Sequence, residues 1–207
     1  MAALAGKLAA VYVQTDDAAV AFTTEATTED ATHLRYSITD QSKRWFDPDT
    51  AITVYADAAE VDAADYTIEY AGGVIVFAVD PAATITVTGA HLQVEAGQGF
   101  FNWSVEPTIN TTDITELGAS AKSYMATLLE FSGSAERFWY DEAYTTLLIA
   151  GARIALQLYV DTSTGAEKWY DCYVRLTGAP ITVAMDDAIK ETINFQGDMG
   201  IYYRATA

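Results

Sequence analysis

Two histidines, one cysteine and several carboxylate pairs are the residues of this 207-residue chain whose types could support chemistry. His33 and His91 stand about sixty residues apart. Acid–base work or zinc binding would need a Ser, Cys or further ligand at close spacing, and neither histidine has one. Cys172 sits in the alternating run Lys168 to Thr177 with no histidine near it in sequence, which reads as a small buried hydrophobe rather than a reactive thiol. A single cysteine also excludes an intramolecular disulfide. The acidic sets Asp47-Pro-Asp49, Asp186-Asp187 and Asp57, Glu60, Asp62, Asp65 suggest calcium or glycosidase chemistry. None has the glycine and terminal glutamate of a calcium loop, and a glycosidase pair is defined by a distance that sequence does not show. They read as solvated loops.

The glycine motifs add no catalyst. Gly97-Gln-Gly99 lacks the rest of a dinucleotide fingerprint, and Gly133-Ser134 is neither a P-loop nor a nucleophile elbow, so both read as turns. Asn102-Trp-Ser104 and Asn110-Thr-Thr112 match the glycosylation sequon, which has meaning only along a secretory route. Met1 to Val13 lacks the charged start and sustained apolar stretch of a signal peptide, and no segment approaches the ~20 apolar residues of a membrane span. The expectation is a non-enzymatic chain with no cofactor, metal or membrane insertion, made in the cytoplasm.

Charge narrows the partners. Eleven Lys and Arg against 29 acidic side chains give −18, and the 77 residues between Arg44 and Lys122 contain no lysine or arginine but twelve carboxylates. Nucleic-acid affinity comes mainly from Lys and Arg displacing counterions, so this stretch cannot grip a phosphate backbone. It is rich in aromatic and β-branched residues, unlike a disordered acidic segment. With 51% apolar residues the chain can bury a core as one large or two small domains.

Period-two alternation predicts the elements. Strand-like runs cover Ile52 to Tyr55, Tyr66 to Tyr70, Val74 to Phe77 and Ile85 to Thr88, with Gly72-Gly73 supplying the positive φ of a tight hairpin. A compact β unit spans about His33 to Val94, and the glycines at 97 and 99 mark a boundary. Farther on, Ile154, Leu156, Leu158 and Val160 share a strand face, the loop Asp161 to Gly165 turns, and Tyr170, Cys172, Val174 and Leu176 line the returning strand. Ile181 to Met185, the turn at Asp186-Asp187, Ile189 to Phe195, a turn at Gly197-Asp-Met-Gly200 and Ile201 to Tyr203 continue an antiparallel meander. Asp141-Glu142 before Ala143 to Ala150 and Gly151 predicts a short helix with an Asp N-cap, acidic first turn and left-handed glycine cap. Residues Ala119 to Phe131 fit helix or strand, with strand slightly favoured.

An acidic β protein with two strand-rich units and no active-site signature suits a structural or binding module. Open antiparallel sheets leave edges that a symmetric ring can cover. The opening Gly6-Lys-Leu-Ala-Ala-Val-Tyr-Val13, with Ala18 to Thr23, resembles the first strands of tailed-bacteriophage (siphovirus-like) tail tube proteins, also called major tail proteins. So does the order of Phe101-Asn-Trp103-Ser-Val105, the polar segment with Thr112-Asp-Ile-Thr115 and Gly118, Phe131 to Tyr140, the short helix, and the final Phe195-Gln-Gly197-Asp-Met-Gly200. Tyr36-Ser-Ile-Thr-Asp40, Trp45, Ile52-Thr-Val54, Asp65-Tyr66 and Gly73-Val-Ile-Val-Phe77 are similar to a β module common in phage structural proteins.

The resemblance implies a mainly β protein: an antiparallel β-sandwich or barrel-like core with one short flanking helix, plus a small inserted β module. Residues 1–32 would be the first core strands, 33–95 the module on the outer surface, and 96–207 the rest of the core. It implies a virion tail protein, assembled in the host cytoplasm, whose six copies form a ring and whose rings stack into a tube. The tube would guide DNA without binding it specifically and meet a tape-measure protein, a tail terminator and baseplate proteins. The family's long loop would map onto about Glu106 to Ser120, with Ile109, Asp113, Ile114 and Leu117 as candidate subunit and ring contacts. A net negative channel wall is expected. The competing readings are a cell-surface or carbohydrate-binding β-sandwich, with Trp45, Trp139 and Trp169 stacking on sugars, and another virion part such as a decoration or tail-terminator protein.

Overall fold

The computed structural model of the chain describes residues 10–15, 18–117, 120–183, 185 and 187–206. Gly6 to Ala9, Gly118, Ala119 and Asp186, all named above, lie outside them. The described residues form fifteen strands and one α-helix: β1 Ala10–Gln14, β2 Val20–Glu29, β3 Arg35–Ile38, β4 Thr53–Ala56, β5 Ala59–Glu60, β6 Tyr66–Glu69, β7 Val74–Phe77, β8 Ile85–His91, β9 Val94–Ala96, β10 Phe100–Asp113, β11 Tyr124–Phe138, α1 Ala143–Ala150, β12 Arg153–Asp161, β13 Lys168–Gly178, β14 Ile181–Thr182 and β15 Lys190–Ala205. The protein is mainly β and its described strand pairings are antiparallel. Two compact units share the chain, one of Met1–Gly97, Ile154–Cys172 and Tyr202–Ala207, the other of Gln98–Arg153 and Tyr173–Ile201.

In the first unit, seven strands lie in the order β5-β4-β8-β2-β3-β7-β6. Alternation buries Tyr36, Ile38, Val54, Ile75, Phe77, Ile85 and Val87 around Phe22 and Phe46, a single apolar cluster. Strand β2, within residues 1–32, pairs with β3 and β8, both within 33–95. Its register with β8 slips between Phe22 and Glu25, next to a Thr24 held at positive φ. The β6–β7 hairpin closes at Gly72 and Gly73, with φ of 97° and 59°, as the glycine pair predicts. The same unit holds β9-β1-β12 and the start of β13. Val11 faces Leu158 and Val13 faces Leu156.

The burial along β13 departs from simple alternation. Asp171, Cys172, Tyr173 and Val174 are buried in succession, so both faces of the strand are covered here. A strand buried on both sides cannot show its two faces as a polar–apolar rhythm.

In the second unit β10, β11 and β15 are neighbours, with β14 also paired to β15. Two expected turns are strand instead. Gly133 lies inside β11, where a Cβ would stand 2.2 Å from the Ser104 carbonyl oxygen and 2.6 Å from the Phe195 ring. Gly197 lies inside β15, where a Cβ would stand 2.2 Å from the Phe131 ring. Both glycines serve close approach rather than reversal, and the run from Lys190 to Ala205 is continuous. Helix α1 begins as expected after the acidic pair, but its N-cap is Glu142 with no side-chain capping bond, and its first turn has no acid. Asp141 accepts a hydrogen bond from the Ala143 N–H at 3.2 Å. Gly151 closes the helix at φ 62°, the left-handed cap expected there.

Candidate assembly interface

The residues with catalytic potential are dispersed and engaged. His33 is exposed beside Glu29 at 3.0 Å, which raises its pKa. His91 is buried, its Nδ1 3.3 Å from the Leu92 carbonyl. Cys172 is fully buried and burial pushes its thiol pKa up. Several acids of these carboxylate sets are held by backbone or side-chain partners. Asp47 accepts from Asp49 N–H at 3.1 Å and Asp62 from Ala64 N–H at 3.0 Å. Asp57 accepts from Thr84 N–H at 3.0 Å, and Asp187 pairs with Lys190 at 2.6 Å. Among the described residues no three His, Cys, Asp or Glu converge in a way that could hold a metal ion.

What the second unit presents instead is an arm. Strands β10 and β11 pair from Phe100 opposite Arg137 out to Asp113 opposite Tyr124. Strand β15 accompanies β11 only from Ser132 to Phe138. From Pro107 opposite Phe131 outward, the hairpin is therefore a two-stranded ribbon roughly 20 Å long at ~3.4 Å per residue. The segment expected as a loop, Glu106 to Ser120, is thus the outgoing strand of this ribbon as far as Asp113.

The ribbon carries exposed apolar side chains along both strands. Ile109 stands opposite Leu129, and both are more than half exposed. Leu128, at 72% exposure, sits by the register shift between Ile109 and Thr111. Tyr124, Met125, Ile114 and Leu117 are exposed toward the tip. Asp113 has a different task from its three companions in the sequence reading. Its Oδ1 accepts from the Thr115 N–H at 2.9 Å and hydroxyl at 2.5 Å, which holds its pKa below the usual carboxylate range. Thr115 in turn accepts from Ser123 N–H at 2.9 Å, and Ile114 N–H bonds the Ser123 carbonyl at 2.9 Å. So Asp113 shapes the tip, while Ile109, Ile114 and Leu117 are the apolar surface.

Sequence reasoning missed Tyr124, Met125, Leu128 and Leu129. They were legible as an apolar run, but a run that fits helix and strand periods alike does not say which face is solvated. It also missed the aromatic pair at the arm's base, Phe101 and Phe138, exposed with ring centroids 5.0 Å apart. Trp45 and Trp169 line one cavity of the first unit, Trp45 buried and Trp169 stacked on Tyr159 at 5.4 Å, whereas Trp139 belongs to the second unit and is partly exposed.

A buried ion pair anchors the base of the arm. Arg137 on β11 donates from Nε to Glu191 on β15 at 2.7 Å and from Nη2 to Asp141 at 3.1 Å, with its guanidinium 4.3 Å above the Tyr144 ring of α1. Burial alone would lower the Arg137 pKa, but the two carboxylates outweigh it and raise it. Burial pushes the Tyr144 hydroxyl up to about 12. Glu191 Oε1 is buried with no hydrogen-bond partner among the described residues.

No family model and no curated protein matches the chain. Among solved structures it is similar to a chain of the virion of a native gene transfer agent particle, at 12% identity over 54% of this chain and 89% of that one, with a TM-score of 0.46. It is also similar to a chain of the tail of an empty gene transfer agent particle with C6 symmetry, at 12% identity over 55% and 87%, with a TM-score of 0.45.

Proposed function

We propose that this chain is a structural virion protein, a tail tube subunit of a tailed phage whose six copies close into a ring and whose rings stack into the conduit for DNA. The observation that carries the reading is the β10–β11 ribbon. An isolated two-stranded hairpin is marginal in water, and this one holds Ile109, Leu128 and Leu129 in solvent. Among the described residues β10 also has no strand neighbour on its outer edge. An open edge flanked by apolar side chains is a template for another chain, and identical subunits supply one at every contact of a ring. The order of motifs that resembles tail tube proteins supports the same reading, as does a net charge of −18, which lets DNA pass without sticking. The chain performs no catalysis and takes no cofactor in this role.

Negative-stain electron microscopy with mass photometry across a concentration series tests it. Sixfold rings or tubes with a central channel are expected, with a net negative wall in the solved assembly. A protein that stays monomeric at all concentrations, or a basic lumen, overturns the respective part.

A further inference from the structure

The first unit contains a cavity of about 470 Å³ that the assembly reading does not use. Its wall carries a row of rings: Tyr12 and Tyr159 have centroids 5.3 Å apart, and Trp169 stacks on Tyr159 at 5.4 Å and 25°. Its acids are spent on neighbours. Asp171 accepts from Gln157 at 2.9 Å and from the Trp169 indole N–H at 3.0 Å, and meets Arg204 at 3.4 Å. Glu167 accepts from the Thr206 hydroxyl and from the Gly165 N–H at 3.1 Å. Arg204 is itself held by Glu69 at 2.8 Å and the Ala71 carbonyl at 3.1 Å.

Arg44 differs from these. It lines the same cavity, its Nε donates to the Ile38 carbonyl at 2.7 Å, and among the described residues no carboxylate pairs with its guanidinium. Burial lowers its pKa. The position is fixed from below, since a Cβ on Gly73 would lie 2.7 Å from the Arg44 Cα, so the hairpin turn packs directly on that backbone. The Asp171 and Asp40 charges act on it without an ion pair, so a guanidinium lining a cavity keeps N–H groups that can receive two oxygens of one anion. The volume is that of a small-molecule site, and the rings favour a guest with a flat or apolar face.

We propose that this cavity binds a carboxylate carried on a ring, the carboxylate on Arg44 and the ring along the Tyr159–Trp169 wall. Sugar acids and aromatic acids share that chemistry, and the Gln41 amide in the lining suits the former. The inference is independent of assembly.

Nuclear magnetic resonance of the full chain, titrated with D-glucuronate and separately with benzoate to about 10 mM, tests it at the affinity of a weak small-molecule site. One probe is expected to shift the Trp169 indole N–H signal saturably, while D-glucose and benzyl alcohol do not, and R44Q is expected to weaken binding at least roughly tenfold. Preference for glucuronate assigns a sugar acid and preference for benzoate an aromatic one. R44K keeps the charge but not the fork, and weakened binding by a folded R44K supports the site even where R44Q does not fold. No saturable shift with either acid, equal shifts from the neutral analogues, or unchanged affinity in R44K overturns the proposal.

Discussion

Arg137 and Glu191 meet 2.7 Å apart with 5% and 0% of their side chains exposed, joining the strand that becomes the arm to the strand beside it. Removing Glu191 leaves the buried Arg137 only the exposed Asp141 as a charge partner, whereas replacing both members of the pair removes the buried charge altogether. Glu191→Leu is expected to cost about 3–5 kcal/mol in urea unfolding, and the double change Arg137→Met with Glu191→Leu to recover most of it. Equal losses in the single and double variants would show that the pair is not coupled.

The neighbouring Asp141 makes stability depend on acid. Its hydrogen bond from Arg137, with the Ala143 N–H, holds its pKa below the ordinary Asp value. A depressed folded pKa means the contribution is fully present above the unfolded pKa, about 3.9, and is lost as pH falls through the folded value. Wild type should therefore lose melting temperature more steeply below about pH 4 than Asp141→Asn. Parallel profiles of the two proteins would refute this.

Gly197 is in strand because Phe131 occupies the space a side chain would need. Gly197→Ala is expected to destabilise by about 1–3 kcal/mol through overpacking, although alanine is otherwise the better strand residue. Adding Phe131→Leu should restore part of the loss in the same denaturation assay.

The arm separates assembly from folding. Ile109→Asp and Leu128→Asp alter exposed positions, so unfolding free energy should change by no more than about 0.5 kcal/mol. Ring formation by mass photometry should be lost in both. Variants that still form rings would place the contact elsewhere.

Cys172 should be inert while the protein is folded. The thiol is fully buried and its pKa is pushed up, so thiolate is scarce and access is closed. Reaction with a disulfide reagent should follow the unfolding rate and accelerate with urea. A fast stoichiometric reaction in native buffer would contradict the burial.

Much of the β content was readable, because a half-buried strand writes its two faces into alternate positions. Val74 to Phe77 with the preceding Gly72-Gly73, and Ile154 to Leu158, are found where that rhythm puts them. The short helix was readable from its acidic start and Gly151. Two of the failures have one cause. Gly133 and Gly197 look like turn residues in sequence, and only the partner strand shows that they make room for Phe195 and Phe131.

The candidate interface divides along the same line. Ile109, Ile114 and Leu117 were singled out by resemblance, and they are exposed on or beyond the ribbon. Leu128 and Leu129 were visible as apolar letters without a destination. Sequence alone determined the class of element and the acidic net charge, since period and charge are local properties that survive without a fold. Tertiary structure decided that β15 stops accompanying β11 at Ser132, which is what leaves the outer ribbon in solvent. Which strands pair, and for how far, depends on residues distant in the chain, and no local pattern contains it.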